Sequence, residues 1–435
     1  MANESLYKEY LDGKFKPIVD SIVRTINGQE GERNYLHDKM LTPKLSVAGT
    51  WEAVTTDNTY VSADFVSTDS ELPLKKRDSL GKVTGKLVKS GMALYLNEQQ
   101  MQDIDTMRAV EADDKDILEV ILDDTVRCTR GEKELMERAF LEELSTGVCQ
   151  IDDSENVGIG VRINAGYLEE NKFTPQFDWA DAEHAKPLDD FERIIDAAEA
   201  KKRELNFCFM DKATWTKFRD SKQVREYMAG RGDQKIFVAG GSTDILPKSS
   251  LAAINAALSE DENIGLKIVL INFKSVIERN GVRTTVTPWA NGMVVFTKSE
   301  NVGKLWWAKV AEDNHRVPGV TYVEVGNGVL LSKYSTNRPT LTEWTQIQGR
   351  IVPVVNGAEN IYQLDTTTFV TDASEDNKIT INGTEHKKSD ILTAWASVTG
   401  VTLPSSITDA NLVALFNTLN KKTQADIVAA IVDTE

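Results

Sequence analysis

Cysteine is scarce: Cys128, Cys149 and Cys208 are the only three in 435 residues. They form no CxxC pair, which argues against a disulfide framework and a structural zinc site and for a reducing compartment. Histidine is equally sparse, and His37, His184, His315 and His386 show no HExxH or other ligand spacing. No apolar run approaches the ~20 residues that cross a bilayer. The charged start MANESLYKEYLDGKF has no signal-peptide core, so neither secretion nor a membrane partner is expected. Phosphate-loop spacings are also missing. The glycine pair of VAGGST (Val238–Thr243) reads as a turn, because a phosphate cradle needs a Walker or dinucleotide spacing running straight into a helix. Positive charge is in deficit, with 50 Lys and Arg against 67 Asp and Glu, a net charge of −17. Such a chain is poorly suited to hold nucleic acid by phosphate neutralisation, though it suits a surface that lies near nucleic acid without adhering. The carboxylates are too numerous for any pair to stand out as acid and base. No cofactor, metal or catalytic residue is expected, and the chain reads as a non-enzyme.

What is present is size, one long helix and one charge inversion. The length suits two or three domains, and 41% hydrophobic content supports real cores. Residues 114–147 (DKDILEVILDDTVRCTRGEKELMERAFLEELSTG) predict a single helix of roughly 50 Å. Asp113, Asp114 and Asp116 place negative charge in its first turn. Ile117, Leu118, Ile121, Leu122, Val126, Leu135, Met136, Ala139, Phe140 and Leu144 recur at three- and four-residue spacing. Gly147 is placed to stop it in the left-handed conformation, and Gly131 marks a weak point where a bend is expected. The helix carries ten acids and five bases, so it is an acidic strut. Just before it, LPLKKRDSLGKVTGKLVKSGM (residues 72–92) holds Lys75, Lys76, Arg77, Lys82, Lys86 and Lys89 against one acid, Asp78. Punctuated by Gly81, Gly85 and Gly91, it reads as a long basic hairpin. In so acidic a chain a protein partner is favoured over nucleic acid or a bare solvated ribbon.

Along the rest of the chain, residues 1–27 predict short amphipathic helices. Residues 28–66 read as an irregular arm that packs on something else. Val157–Ile163 is strand-like. Pro187 opens an α/β segment with strands at Phe207–Met210, Lys235–Ala239, Lys267–Phe273 and Met293–Thr297, a helix capped by Asp211, and another over Ser249–Leu258. Trp289, Trp306, Trp307 and Trp344 sit among Val, Leu and Phe, so core and interface packing is favoured over a stacking platform for sugars or bases. Ile351–Val355 is a strand followed by the hairpin signal Asn356-Gly357. After a polar linker, residues 378–385 predict a hairpin around Asn382-Gly383. Three helices follow, near Asp390–Ser397, Asp409–Asn420 and Thr423–Val432, the last opened by a Thr423/Asp426 capping pair.

The order of arm, basic extended loop, long helix, α/β segment and β return resembles the major capsid proteins of tailed double-stranded DNA phages. These share the Hong Kong 97-type shell fold, an α+β architecture. The stretches that carry the resemblance are residues 72–92 as the extended loop, Asp114–Gly147 as the spine helix, LNFCFMDKATWTKFRDSKQVREYM as axial strand and helix, and VRTTVTPWANGMVVFTKSENVGKLWW with LTEWTQIQGRIVPVVNGAENIY as late axial and returning peripheral segments. The resemblance implies an N-terminal arm (1–66), an extended loop (67–98), a peripheral domain (99–186 and 340–366, spine 114–147) and an axial domain (187–339). Residues 367–435 would be an added domain. It implies hexamers and pentamers of an icosahedral shell around DNA held without sequence recognition, located in the virion and assembled in the host cytoplasm. Its expected partners are other copies of the chain, a separate scaffolding protein, a portal and auxiliary capsid proteins. No residue matches the lysine–asparagine crosslink of some members. The extended-loop bases Lys75, Lys76, Arg77, Lys82, Lys86 and Lys89 are the expected inter-subunit contacts, with Asp116, Glu119, Asp123, Glu134 and Glu137 on the spine helix as acidic partners. Two competing readings are a bacterial nanocompartment shell, betrayed by a cargo enzyme, and an intracellular α/β enzyme with its site in 187–339, betrayed by a convergent polar cluster.

Overall fold

Residues 114–146 fold as one unbroken 33-residue helix in the computed structural model. The structure describes residues 3–28, 35–56, 80–151, 161–231, 248–279, 281–337, 340–369, 378–381, 384–399, 401 and 409–431. Two compact units divide the chain, Met1–Phe369 and Val370–Glu435.

The first unit begins with α1 (Lys8–Leu11), α2 (Phe15–Gly28) and α3 (Leu36–Met40), which leads directly into β1 (Leu41–Leu45) and β2 (Thr50–Thr56). The described part of the arm, residues 35–56, is therefore not irregular. β1 pairs in parallel with β13 (Gly303–Ala308). It escapes sequence reading because Pro43 breaks its pattern, a residue that an edge strand tolerates. β2 pairs antiparallel with β3 (Leu80–Lys86), from Thr50↔Lys86 to Thr56↔Leu80. The basic stretch is thus one leg of a ribbon whose other leg starts at Thr50. β4 (Ser90–Leu96) leaves that ribbon and joins the large sheet. At the root of the ribbon, Trp51 is buried across from Gly85, where a Cβ would stand 2.5 Å from the indole. Gly85→Ala should lower unfolding free energy by about 1–3 kcal/mol through overpacking, read by urea denaturation.

Next come α4 (Glu98–Ala109), opened by an Asn97/Gln100 capping box, and the spine helix α5 (Asp114–Thr146). Asp113 accepts from Lys115 N at the start of α5, and Gly147 ends it at φ 80°. Gly131 is no break. A Cβ there would meet Met92 Sδ at 2.3 Å, so the glycine admits a β4 side chain. Beyond α5, β5 (Val148–Ile151) pairs with β6 (Val161–Asn164). The start of the strand expected at Val157 lies outside the described residues.

The axial part holds β7 (Lys172–Phe173), α6 (Pro187–Ala200), β8 (Phe207–Asp211), α7 (Lys212–Asp220), α8 (Lys222–Arg231), α9 (Leu251–Ser259) and β9 (Lys267–Ile271). Asp211 caps α7 and Ser250 caps α9. The strand and glycine turn expected over 235–243 lie outside the described residues. β10 (Ser275–Arg279) and β11 (Val282–Val286) form a separate ribbon. The dipeptide Asn280-Gly281 between them in sequence is a hairpin signal. β12 (Met293–Thr297) completes the axial strands. The five-stranded order is β7-β17-β12-β8-β9, where β17 is Ile361–Asp365. Trp179, Phe191, Phe218 and Phe296 pack under this sheet.

After β13 come α10 (Ala311–Asn314), β14 (Thr321–Gly326), β15 (Val329–Thr336) and the 14-residue β16 (Thr342–Val355). The large sheet runs β1-β13-β16-β15-β14, with β4 also on β16. The run IVPVV is apolar on both faces because both are covered: Ile351 and Val355 join the core beneath α5, Val352 and Val354 the core around Trp51 and Trp306. Asn356-Gly357 makes a turn but no hairpin. Gly357 is left-handed at φ 74°, and the chain passes from β16 in one sheet to β17 in the other. Trp289 and Trp306 are buried, and the four tryptophans do not gather into one platform.

In the second unit, β18 (Lys378–Ile381) and β19 (Thr384–Lys387) pair antiparallel and precede α11 (Lys388–Thr399), α12 (Asp409–Thr418) and α13 (Lys421–Ala430). Ile381, Ile391, Trp395, Leu412, Phe416 and Ile427 form its core. The cap of α13 is Asn420, which accepts from Thr423 N, so the expected Thr423/Asp426 pair lies inside the helix.

Candidate assembly surface

The acids of α5 divide by position. Asp116, Glu119 and Asp123 are exposed on its first half, whereas most of the helix from Glu132 onward is buried. The buried acids Glu132, Glu137 and Glu143, with half-buried Glu134 and Glu142, tie other elements to the helix. Glu132 accepts from Ser90 Oγ of β4. Glu137 accepts from Leu36 N at 3.0 Å, from His37 N at 2.9 Å, and faces His37 Nδ1 at 2.7 Å, which fixes α3. Glu134 accepts from Tyr35 Oη at 3.0 Å and Ser275 Oγ at 2.9 Å. Glu142 accepts from Gln150 N and Glu143 from Val355 N. Burial holds the carboxyls of Glu132 and Glu143 above the usual range. Glu137, buried, is held by elements of its own subunit and not turned toward a neighbour, while half-buried Glu134 also fastens Tyr35 and Ser275 within the chain. Helical spacing alone does not separate these acids from the exposed ones.

The three exposed acids converge on a groove of about 740 Å³ between α2, α4 and α5. Asp116, Glu119, Asp123 and Asp124 line it together with Ile18, Ile22, Met107, Val120 and Val126. Desolvation raises the Asp124 carboxyl despite Lys333 beyond it. An apolar groove with an acidic lining suits an occupant that carries both apolar and basic side chains.

The expected bases are placed less completely. Lys75, Lys76 and Arg77 lie outside the described residues, as does the Lys82 side chain. Lys86 is exposed on β3. Lys89 is paired within the chain to Glu312 at 2.9 Å.

Sequence reading missed Lys333. It is fully buried beneath α5, where its Nζ donates to Ile121 O and Thr345 Oγ1, both at 2.8 Å. Burial depresses it to about 8, against the opposing influence of Glu343, Asp124 and Cys128. A folded-state value below the unfolded one adds stability at high pH that is lost as pH falls through about 8. Lys333→Met should therefore be at least as stable as wild type at pH 7, and its advantage should shrink by about 3 kcal/mol between pH 8 and 10.5, followed by urea unfolding. The three cysteines are buried and free, and burial pushes the Cys128 thiol up to about 12. Among the described residues no helix is long and apolar enough to cross a membrane, and no His, Cys, Asp and Glu group is arranged to hold a metal ion.

No family model matches the chain, and no curated protein matches it. Solved structures do. The chain is similar to phage and prophage capsid proteins. A putative capsid protein of a prophage from E. coli CFT073 shares 16% identity, covering 84% of this chain and 99% of that one, with a TM-score of 0.45. A phage-related protein from Bordetella bronchiseptica RB50 shares 10% over 84% and 98%, also at 0.45. The mature capsid of bacteriophage PhiM1 shares 9% over 78% and 89%, at 0.41.

Proposed function

We propose that this chain is a major capsid protein of the Hong Kong 97 type, which self-assembles into the hexamers and pentamers of an icosahedral shell enclosing double-stranded DNA. The observation that carries the reading is the pairing of two features in one chain. A ribbon of Thr50–Thr56 paired with Leu80–Lys86 is joined in sequence by the stretch that holds the bases 75–77, and a groove lined with Asp116, Glu119 and Asp123 runs along the spine helix. Copies set side by side bring the ribbon of one to the groove of the next. Each exposed pair contributes only about 0–1 kcal/mol, so repetition around a ring supplies the stability. Scaffolding, portal and auxiliary proteins are the expected further partners. The net charge of −17 lets packed DNA lie against the wall without strong adhesion.

Electron microscopy of the purified chain, alone and with a scaffold, tests this. Regular closed particles are expected, and a chain that stays monomeric by light scattering under both conditions rules the reading out. A cargo enzyme inside the particles in place of DNA would turn the reading to a nanocompartment.

A further inference from the structure

The β2–β3 ribbon belongs to no larger sheet among the described residues, so its direction is set where it meets the rest of the subunit. Two kinds of contact meet there. Trp51, Ala53 and Leu87 are buried in the core around Trp306, Val352 and Val354. Apolar contact of this kind is non-directional and holds the root without fixing its angle. Hydrogen bonds and ion pairs do fix an angle, because they weaken steeply as their geometry departs from the optimum. Leu87 N donates to Gly49 O at 2.8 Å, which closes the ribbon's own end.

Two polar contacts reach beyond the ribbon from the corner Lys89–Ser90, where the chain passes from β3 to β4. Lys89 Nζ donates to Glu312 Oε1 at 2.9 Å, and Glu312 stands in the first turn of α10. Ser90 Oγ donates to Glu132 Oε1 of α5. Beyond the corner β4 is fixed. Its register on β16 runs from Ser90↔Gly349 to Leu96↔Glu343, and a Cβ at Gly91 would stand 2.4 Å from Ile347 O. The corner is therefore tied to the spine helix, to α10 and to the large sheet at once.

We propose that the Lys89–Glu312 pair, together with Ser90 on Glu132, sets the angle at which the basic ribbon leaves the subunit. Lys89 and Glu312 are then positioning residues for assembly, and Lys89 is not a contact with a neighbour. One exposed pair matters here because the ribbon is a lever. The seven residues Leu80–Lys86 span roughly 24 Å at ~3.4 Å per residue, so a tilt of about 10° at the root moves the far end by about 4 Å. Such a displacement takes a charged side chain out of ion-pair reach of a partner. The pair adds little to the stability of the subunit itself, since side chains 52% and 34% exposed are screened by water. The inference rests on the shell reading and gives one of its bases an internal role.

A charge swap tests it. Glu312→Lys and Lys89→Glu should each lower particle yield about tenfold with the circular-dichroism melt unchanged, and the double variant Lys89→Glu/Glu312→Lys should restore yield to within about twofold of wild type. A Lys89 that meets an acid of a neighbouring copy would give no rescue, and that outcome overturns the inference. Normal yield from Glu312→Lys overturns it too, as does a melt that falls along with the yield. Should Glu312→Lys fail to fold, Glu312→Gln decides by the same readouts. The angle itself is read in the single chain at nanomolar concentration, by energy transfer between dyes on Thr84→Cys and Val317→Cys, two exposed positions in a chain whose native cysteines are buried. One narrow distribution is expected with Glu312 in place and a broad one with Glu312→Gln. Equal widths overturn the inference whether or not particles form. Wild-type chain that forms no particles defeats the shell reading itself, a separate outcome.

Discussion

Reversing Lys75, Lys76 and Arg77 to glutamate abolishes particle formation and leaves the folded subunit's melting temperature within about 1 °C of wild type. In sequence the three residues fall between the paired legs Thr50–Thr56 and Leu80–Lys86, and charged residues in a connecting stretch carry surface-type stability effects within ~0.5 kcal/mol. Assembly is a different matter. The proposed receptor presents Asp116, Glu119, Asp123 and Asp124 around one groove, and three new glutamates there replace attraction with like-charge repulsion at every contact of a ring. Sedimentation and electron microscopy read assembly, and circular dichroism reads the fold. Particles at normal yield from the triple variant would mean that the groove takes something else. The same electrostatics predict that wild-type assembly weakens as salt shortens the screening length from about 10 Å at 0.1 M.

The spine helix was legible because three independent signals agreed: first-turn acids, a 3.6-residue apolar stripe and a terminal glycine. β1 was not legible, since its five residues gain their place only from Gly303–Trp307, more than 250 positions away. Asn356-Gly357 announced a turn correctly but could not say that the next strand belongs to another sheet. The expected boundary at 66/67 falls within 57–79, outside the described residues, while pairing places one leg of the basic ribbon as early as Thr50. The candidate site was half legible. Composition revealed an acidic helix beside a basic ribbon, but which acids face outward depends on α3, β4 and β16 closing over the second half of the helix, and all of those contacts are remote in sequence. Lys333 carried no signal at all, because a lysine in a strand reads as a solvent-facing residue.

The acids along this one helix are sorted by what they hold, and single substitutions separate the two kinds. Glu137→Ala should cost about 3–5 kcal/mol, since it strips the carboxylate from a part-buried and a buried backbone amide and from a buried imidazole, and leaves them without that acceptor. Asp123→Ala, three turns and more toward the N-terminus on the same helix, removes only an exposed partner of Arg127 at 2.8 Å and should cost under ~0.5 kcal/mol. Glu137→Gln, which keeps an acceptor oxygen, should fall between them. The assembly readout should run the other way among chains that fold: Asp116, Glu119 and Asp123 changed together to alanine should lower particle yield with little change in melting. Equal stability losses at 123 and 137, measured by urea titration, would contradict the division between an inward-fastened half and an outward-facing half. If the division holds, α5 serves two purposes that its sequence does not distinguish. Its C-terminal half gathers the strands and the arm of its own subunit, and its N-terminal half keeps Asp116, Glu119 and Asp123 exposed to solvent.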